Sequence, residues 1–170
     1  MWQYLGNKRP EFAVPPGPGQ ESVWDYPRPP RIVPCDRLVE VRHGERLIAQ
    51  SDRCLRVLET ASPPNYYLPP ESIDLSQLKP ANCSSICEWK GIAKYWALTE
   101  TSRPIPVGWS YANPNPAFNA LMDWISFYPS RVSCFVAGQK VRAQASEFYG
   151  GWITDEITGP FKGDPGTGHW

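Results

Sequence analysis

SSICEWKGIAKYWALTE, Ser84–Glu100, reads as a β-hairpin with a chemically loaded bend. Its first arm, SSICEWKG, and its second, IAKYWALTE, join through Lys90–Gly91, where glycine tolerates the positive φ that a tight turn demands. Cys87, Glu88, Trp89 and Lys90 place a thiol, a carboxylate, an indole and an ammonium in consecutive positions. Alternation along an extended chain puts Cys87 and Trp89 on one side and Glu88 on the other.

Toward the N-terminus the same rhythm recurs. RLVEVRHGERLIAQS, residues 37–51, alternates on both sides of His43–Gly44 and predicts a hairpin. CLRVLET, residues 54–60, continues as a third strand, with Leu55, Val57 and Glu59 on one face. SPPNYYLPPES is irregular, and ESIDLSQL predicts a short turn or helix. Toward the C-terminus, GWSYANPNP predicts a short strand ending in a turn. NPAFNALMDWISFYP is the one helical signal: Asn115 as cap, Pro116 at the first position, and an apolar stripe of Phe118, Leu121, Met122 and Ile125. RVSCFVAGQKVRAQAS, residues 131–146, then repeats the pattern of residues 37–51, with a turn glycine followed by Ala-Gln. Two hairpins of one design are expected to occupy related places in neighbouring sheets.

The chain ends are of another kind. Residues 1–34 and 147–170 are dense in proline and glycine, as in VPPGPGQ, DYPRPPRIVP and the terminal GGWITDEITGPFKGDPGTGHW. Proline removes a backbone donor and restricts its neighbour, so both read as extended arms flanking a β domain at 35–146. Aromatic residues in the first arm, Trp2, Tyr4, Phe12, Trp24 and Tyr26, suit packing against that domain.

Composition narrows the function classes. The chain of 170 residues can hold one domain with a core. Its 17 basic and 17 acidic residues cancel, so the basic excess of a nucleic-acid or anionic-membrane binder is absent. No apolar run reaches membrane-spanning length, and MWQYLGNKRPEF lacks the apolar region of a secretory signal. Both point to the cytosol and to reduced thiols. Five cysteines at irregular spacing form no disulfide framework, and two distant histidines complete no zinc set. No metal and no cofactor are therefore expected. Eight tryptophans and eight tyrosines are the anomaly, and large rings suit sheet faces and ligand walls.

The ordered set V-x-V…G…A-x-S, VLET…YYLPP, C-x-W-K-G-x-A-x-Y-W, W-S-Y…P, FYP and V…G resembles the domain of unknown function 427 family over roughly residues 35–145. The resemblance implies a mainly β fold, a β-tent of two small antiparallel sheets packed at a steep angle, similar in shape to methionine-R-sulfoxide reductases. The family has no established activity. The label nucleotidyltransferase is sometimes attached to it. This chain has neither a Gly-Ser followed by Asp-x-Asp nor a P-loop to support that label. The motif positions carried over are Glu59, Tyr66, Tyr67, Cys87, Lys90, Gly91, Tyr95, Trp109 and Tyr111.

In such a shape the central hairpin lies near the strand that carries Glu59. A Glu59–Lys90 pair walled by Tyr67, Tyr95, Trp109 and Tyr111 would form a polar centre among rings, the usual construction of a small-ligand site. Of the adjacent phenols Tyr66 and Tyr67 only one can face such a pocket; Tyr67 is the choice here. Trp89 and Trp96 are assigned to sheet packing, and His43 to a solvated turn. Three functions follow: binding of an unknown small molecule, a protein- or peptide-binding module, or an enzyme using Glu59, Lys90 and Cys87 for acid–base or thiol chemistry. The last needs Cys87 beside a cation.

Overall fold

The computed structural model describes residues 2–170. The chain runs through β1 (Glu21–Ser22), β2 (Arg31–Cys35), β3 (Val39–His43), β4 (Arg46–Ser51), β5 (Cys54–Leu58), β6 (Asn65–Tyr67), β7 (Leu78–Cys87) and β8 (Gly91–Leu98). It continues through β9 (Pro106–Ser110), β10 (Ser126–Phe127), β11 (Ser133–Val136), β12 (Gln139–Lys140), β13 (Arg142–Ala143), β14 (Trp152–Ile153) and β15 (Ile157–Thr158). Strands dominate and form several small sheets. Three carry the architecture: β12-β11-β3-β4, β10-β9-β8-β7 and β2-β5-β6, all antiparallel. Two short pairs, β13 with β14 and β1 with β15, tie the chain ends to them. Among the described residues no helix is long and apolar enough to cross a membrane.

The predicted hairpins form where glycine allows them. Gly44 has φ +59° between β3 and β4, Gly91 has φ +101° between β7 and β8, and Gly138 has φ +81° between β11 and β12. The two look-alike hairpins do not sit in neighbouring sheets, however. They share one sheet, because β11 pairs directly with β3, Cys134 opposite Val41 and Val136 opposite Val39. Both present the same apolar face, so joining them edge to edge continues a single buried surface.

The helix expected near 116–125 is replaced by 3₁₀ turns over Pro116–Leu121, interrupted at Phe118 (φ −116°, ψ 15°). The amides of Met122 and Trp124 bond three residues back, to Asn119 and Leu121, and Asp123 turns left-handed at φ 62°. Phe118 and Leu121 are three apart, a spacing that 3₁₀ geometry satisfies, and both are buried while Met122 is exposed. The stripe serves burial without enough residues to propagate an α-helix before β10 begins. ESIDLSQL does form short 3₁₀ turns, with Asp74 accepting from the Ser76 amide.

Three apolar clusters result. Val39, Val41, Ile48, Leu98, Phe127, Val136 and Trp152 belong to the largest, between the two four-stranded sheets. Burying an aliphatic or phenyl side chain of this kind contributes roughly 1.5–3 kcal/mol. A second cluster lies between β5–β6 and β8–β9 and holds Val57, Tyr67, Ala93, Trp109, Tyr111 and Tyr128. A third packs the terminal segments on the far side of β5: Val23, Trp24, Tyr26, Leu58 and Ile157, with Tyr4, Phe161 and Trp170 against them. Strand alternation explains the division. Leu55 and Val57 of β5 face the second cluster, and Leu58 faces the third. Pro34 sits in β2, an edge strand, where proline is tolerated.

Candidate functional site

The second cluster is not solid. A cavity of about 230 Å³ opens beside it, walled by β5–β6, the β7–β8 hairpin, β9 and the C-terminal segment. Glu59, Tyr67, Cys87, Lys90, Tyr95, Trp109 and Tyr111 all line it. The hairpin bend supplies Cys87, Glu88 and Lys90. Asn115 secures that bend by two hydrogen bonds: its amide N donates to the Lys90 carbonyl at 3.0 Å, and its Nδ2 donates to the Trp89 carbonyl at 2.8 Å. Asn115 therefore orients Lys90 rather than capping a helix.

Rings form the walls. Tyr67 is fully buried, and Trp109 donates its indole N–H to the Tyr67 hydroxyl at 3.0 Å. The two rings meet edge to face at 6.3 Å, and Trp109 tilts over Tyr128 at 4.7 Å. Tyr95 shares a hydrogen bond with Ser85 at 2.7 Å. Gly150 presses its backbone on this group; a Cβ there would lie 2.5 Å from the Trp109 ring. Tyr66 turns to the opposite side and stacks on Trp152 at 5.0 Å, so Tyr67 is the phenol of the pair that reaches the cavity.

Lys90 is 7% exposed. Its Nζ lies 5.9 Å from the centre of the Tyr111 ring. Burial is the largest influence and pulls its pKa down, the surrounding Tyr67, Cys87 and Glu59 side chains push it up, and the net direction is up. Lys90 is thus a cation at neutral pH. Burial raises the Tyr67 and Tyr111 phenols, so both stay neutral and able to donate.

The expected Glu59–Lys90 ion pair does not form. Glu59 accepts from Arg28 Nε at 3.2 Å instead. Arg28 also donates to the carbonyls of Tyr4, at 3.1 Å, and Thr60, at 2.9 Å. A guanidinium fork satisfies several acceptors at once, which an ammonium at this distance cannot match. Among the described residues no carboxylate lies within ion-pairing reach of Lys90.

Several wall residues escape a reading by local pattern. Lys162 comes from the C-terminal segment and Trp2 from the N-terminus; the Lys162 ammonium lies 4.4 Å from the Trp2 ring and donates to the Trp170 carbonyl at 3.1 Å. Burial and the nearby Arg28 charge hold Lys162 below its usual range. Gln144 is buried, accepts from the Gly151 amide at 3.0 Å and donates to the Lys162 carbonyl. Tyr128 and Gln144 lie in quoted motifs, FYP and the repeated Ala-Gln, and Trp2 is one of the arm aromatics expected to pack on the domain, which are the available signals; Lys162 has none. Trp89, assigned to packing, packs against the second cluster and also lines the cavity, its Nε1 shielded without an acceptor. Trp96 lies outside the cavity and donates to Ser110 at 2.9 Å. His43 sits at the surface beside Glu100, at 3.1 Å. Among the described residues no three of His, Cys, Asp and Glu converge on a metal position.

The cavity offers mainly donors from its buried side chains, since Glu59 is engaged by Arg28 and Glu88 stands exposed. It can orient an acceptor-bearing molecule by charge and hydrogen bonds while flat walls hold its apolar part. No curated protein matches the chain. A family model described as Domain of unknown function (DUF427) matches residues 31–138, which include every strand of the three main sheets up to Val136. The chain belongs to the DUF427 family.

Proposed function

We propose that this protein binds a small molecule in the cavity between β5–β6 and the β7–β9 strands. One observation carries the reading: a buried ammonium, Lys90, in a ring-lined wall where, among the described residues, no carboxylate pairs with it. An unpaired buried charge is costly to keep, and a structural ion pair would have been the cheaper solution for stability alone. On this reading the chain folds as a β-tent, with the β2-β5-β6 sheet and the β10-β9-β8-β7 sheet as the two sides of the cavity. All five cysteines are free, in keeping with a reducing, cytosolic setting.

A thermal-shift screen of a metabolite library tests this, because a ligand of the folded state raises apparent stability. Compounds that raise the melting temperature of the wild type but not of Lys90→Ala are expected. A library with no hit, or hits that shift both proteins equally, overturns the proposal.

A second reading is thiol chemistry at Cys87. Its support is position: Cys87 lines the same cavity as Lys90. Alkylation of Cys87 faster than that of the exposed Cys83 is its signature.

A further inference from the structure

We infer, on the reading of the cavity as a ligand site, that the ligand is a small ring-bearing monocarboxylate with its carboxylate seated on Lys90. The donors decide the charge. Lys90 Nζ has no carboxylate partner among the described residues, and the Trp89 indole N–H, in the same wall, has no acceptor. The Tyr67 and Tyr111 phenols line the same space. Two acids also line the space. Glu59 is engaged by Arg28, and Glu88 stands exposed, beyond ion-pairing reach of Lys90. Neither satisfies the ammonium, so the missing acceptor must arrive with the ligand.

Size and donor geometry choose among anions. The volume of about 230 Å³ falls below the roughly 300–1,000 Å³ of sites that take drug-sized ligands. One ring with a short acidic arm suits it; a nucleoside triphosphate does not. A phosphate dianion is met best by a guanidinium fork or several charged donors together, more than one lone ammonium supplies. The nearby Arg28 fork is already spent on Glu59, Tyr4 and Thr60. Lys162, the other ammonium of the wall, donates to the Trp170 carbonyl and lies over the Trp2 ring. What is left free matches a single carboxylate. Flat walls from Trp109, Tyr95 and Tyr111 match a planar ring.

The test compares benzoate and phenylacetate with benzamide, benzylamine and phenyl phosphate, following the indole N–H signals of Trp89 and Trp109 by NMR. The two acids are expected to bind the wild type about tenfold or more tighter than the amide and the amine, as a charge-assisted hydrogen bond predicts. Lys90→Met is expected to abolish that preference while keeping cooperative unfolding. Equal binding of benzoate and benzamide, tighter binding of benzylamine or phenyl phosphate, or unchanged benzoate affinity in Lys90→Met overturns the carboxylate assignment and leaves the binding cavity standing. If no panel member moves the indole signals but a library compound does, the assignment alone falls. If nothing moves them, both fall. Should Lys90→Met fail to fold, the acid–amide comparison in the wild type decides alone.

Discussion

Arg28, not Lys90, holds the carboxylate of Glu59, with Nε 3.2 Å from Oε1. That pairing makes the N-terminal segment part of the site's foundation and leaves Lys90 free in the cavity wall. The Arg28 side chain is 1% exposed, and its remaining donors reach the Tyr4 and Thr60 carbonyls.

Removing Arg28 strands a carboxylate and two carbonyls at once. Arg28→Leu is expected to cost about 3 kcal/mol, the low end for breaking a buried pair from one side. Urea denaturation measures this. A loss below about 1 kcal/mol would place the pair among the weak surface bridges.

Lys90 makes few contacts that the fold depends on. Lys90→Ala is expected to unfold within about 1 kcal/mol of the wild type, since the bend is held through backbone bonds to Asn115. Ligand-induced thermal shifts vanish in the same variant. Asn115→Ala, which removes the Nδ2 bond to Trp89, is expected to weaken binding by misplacing Lys90 without removing its charge.

Gly150 is required for space. In Gly150→Ala the new methyl would sit 2.5 Å and 2.7 Å from two Trp109 ring atoms and 2.9 Å from Tyr128. A destabilisation of about 1–3 kcal/mol is expected from overpacking. The Trp109–Tyr67 hydrogen bond should lengthen as well, visible as a shift of the Trp109 indole signal.

Buried phenols set the alkaline limit. Tyr26, Tyr67, Tyr111 and Tyr128 have pKa values raised chiefly by burial, and Tyr66 is pushed up to about 12. A raised folded pKa contributes stability that is fully present below the unfolded value, about pH 10, and lost above it. Stability is thus expected to hold up to about pH 10 and then decline, with most phenolate absorbance appearing in one cooperative step. Gradual ionisation of these tyrosines in the folded protein would contradict the burial assigned to them.

The five thiols should separate by environment. Burial pushes Cys54 up to about 12 and raises Cys134 further, whereas Cys83 is exposed. Alkylation followed by mass spectrometry is expected to label Cys83 first, and Cys54 and Cys134 only on unfolding. Cys87 labelling should slow when the cavity is filled.

Local pattern carried much of the fold because strand periodicity and turn glycines are short-range signals. Val39 and Val41, the bends at Gly44, Gly91 and Gly138, and the split between Tyr66 and Tyr67 all follow from alternation by twos. The helix near 116–125 failed for the same kind of reason. A stripe with spacings of three and four is shared by a short α-helix and a 3₁₀ turn, and only the pull of β10 and the left-handed Asp123 decides between them.

The amino-acid order by itself determined a β-rich chain and the bend that presents Lys90, since each depends on neighbours a few residues apart, while the rings around that bend were named through the family resemblance. Tertiary structure alone decided which cation meets Glu59, that the two similar hairpins join in one sheet, and that Trp2 and Lys162 close around the same cavity. Those pairings join residues far apart in the chain, and they are chosen by which buried charges and edges can be satisfied together, a competition that no local window contains.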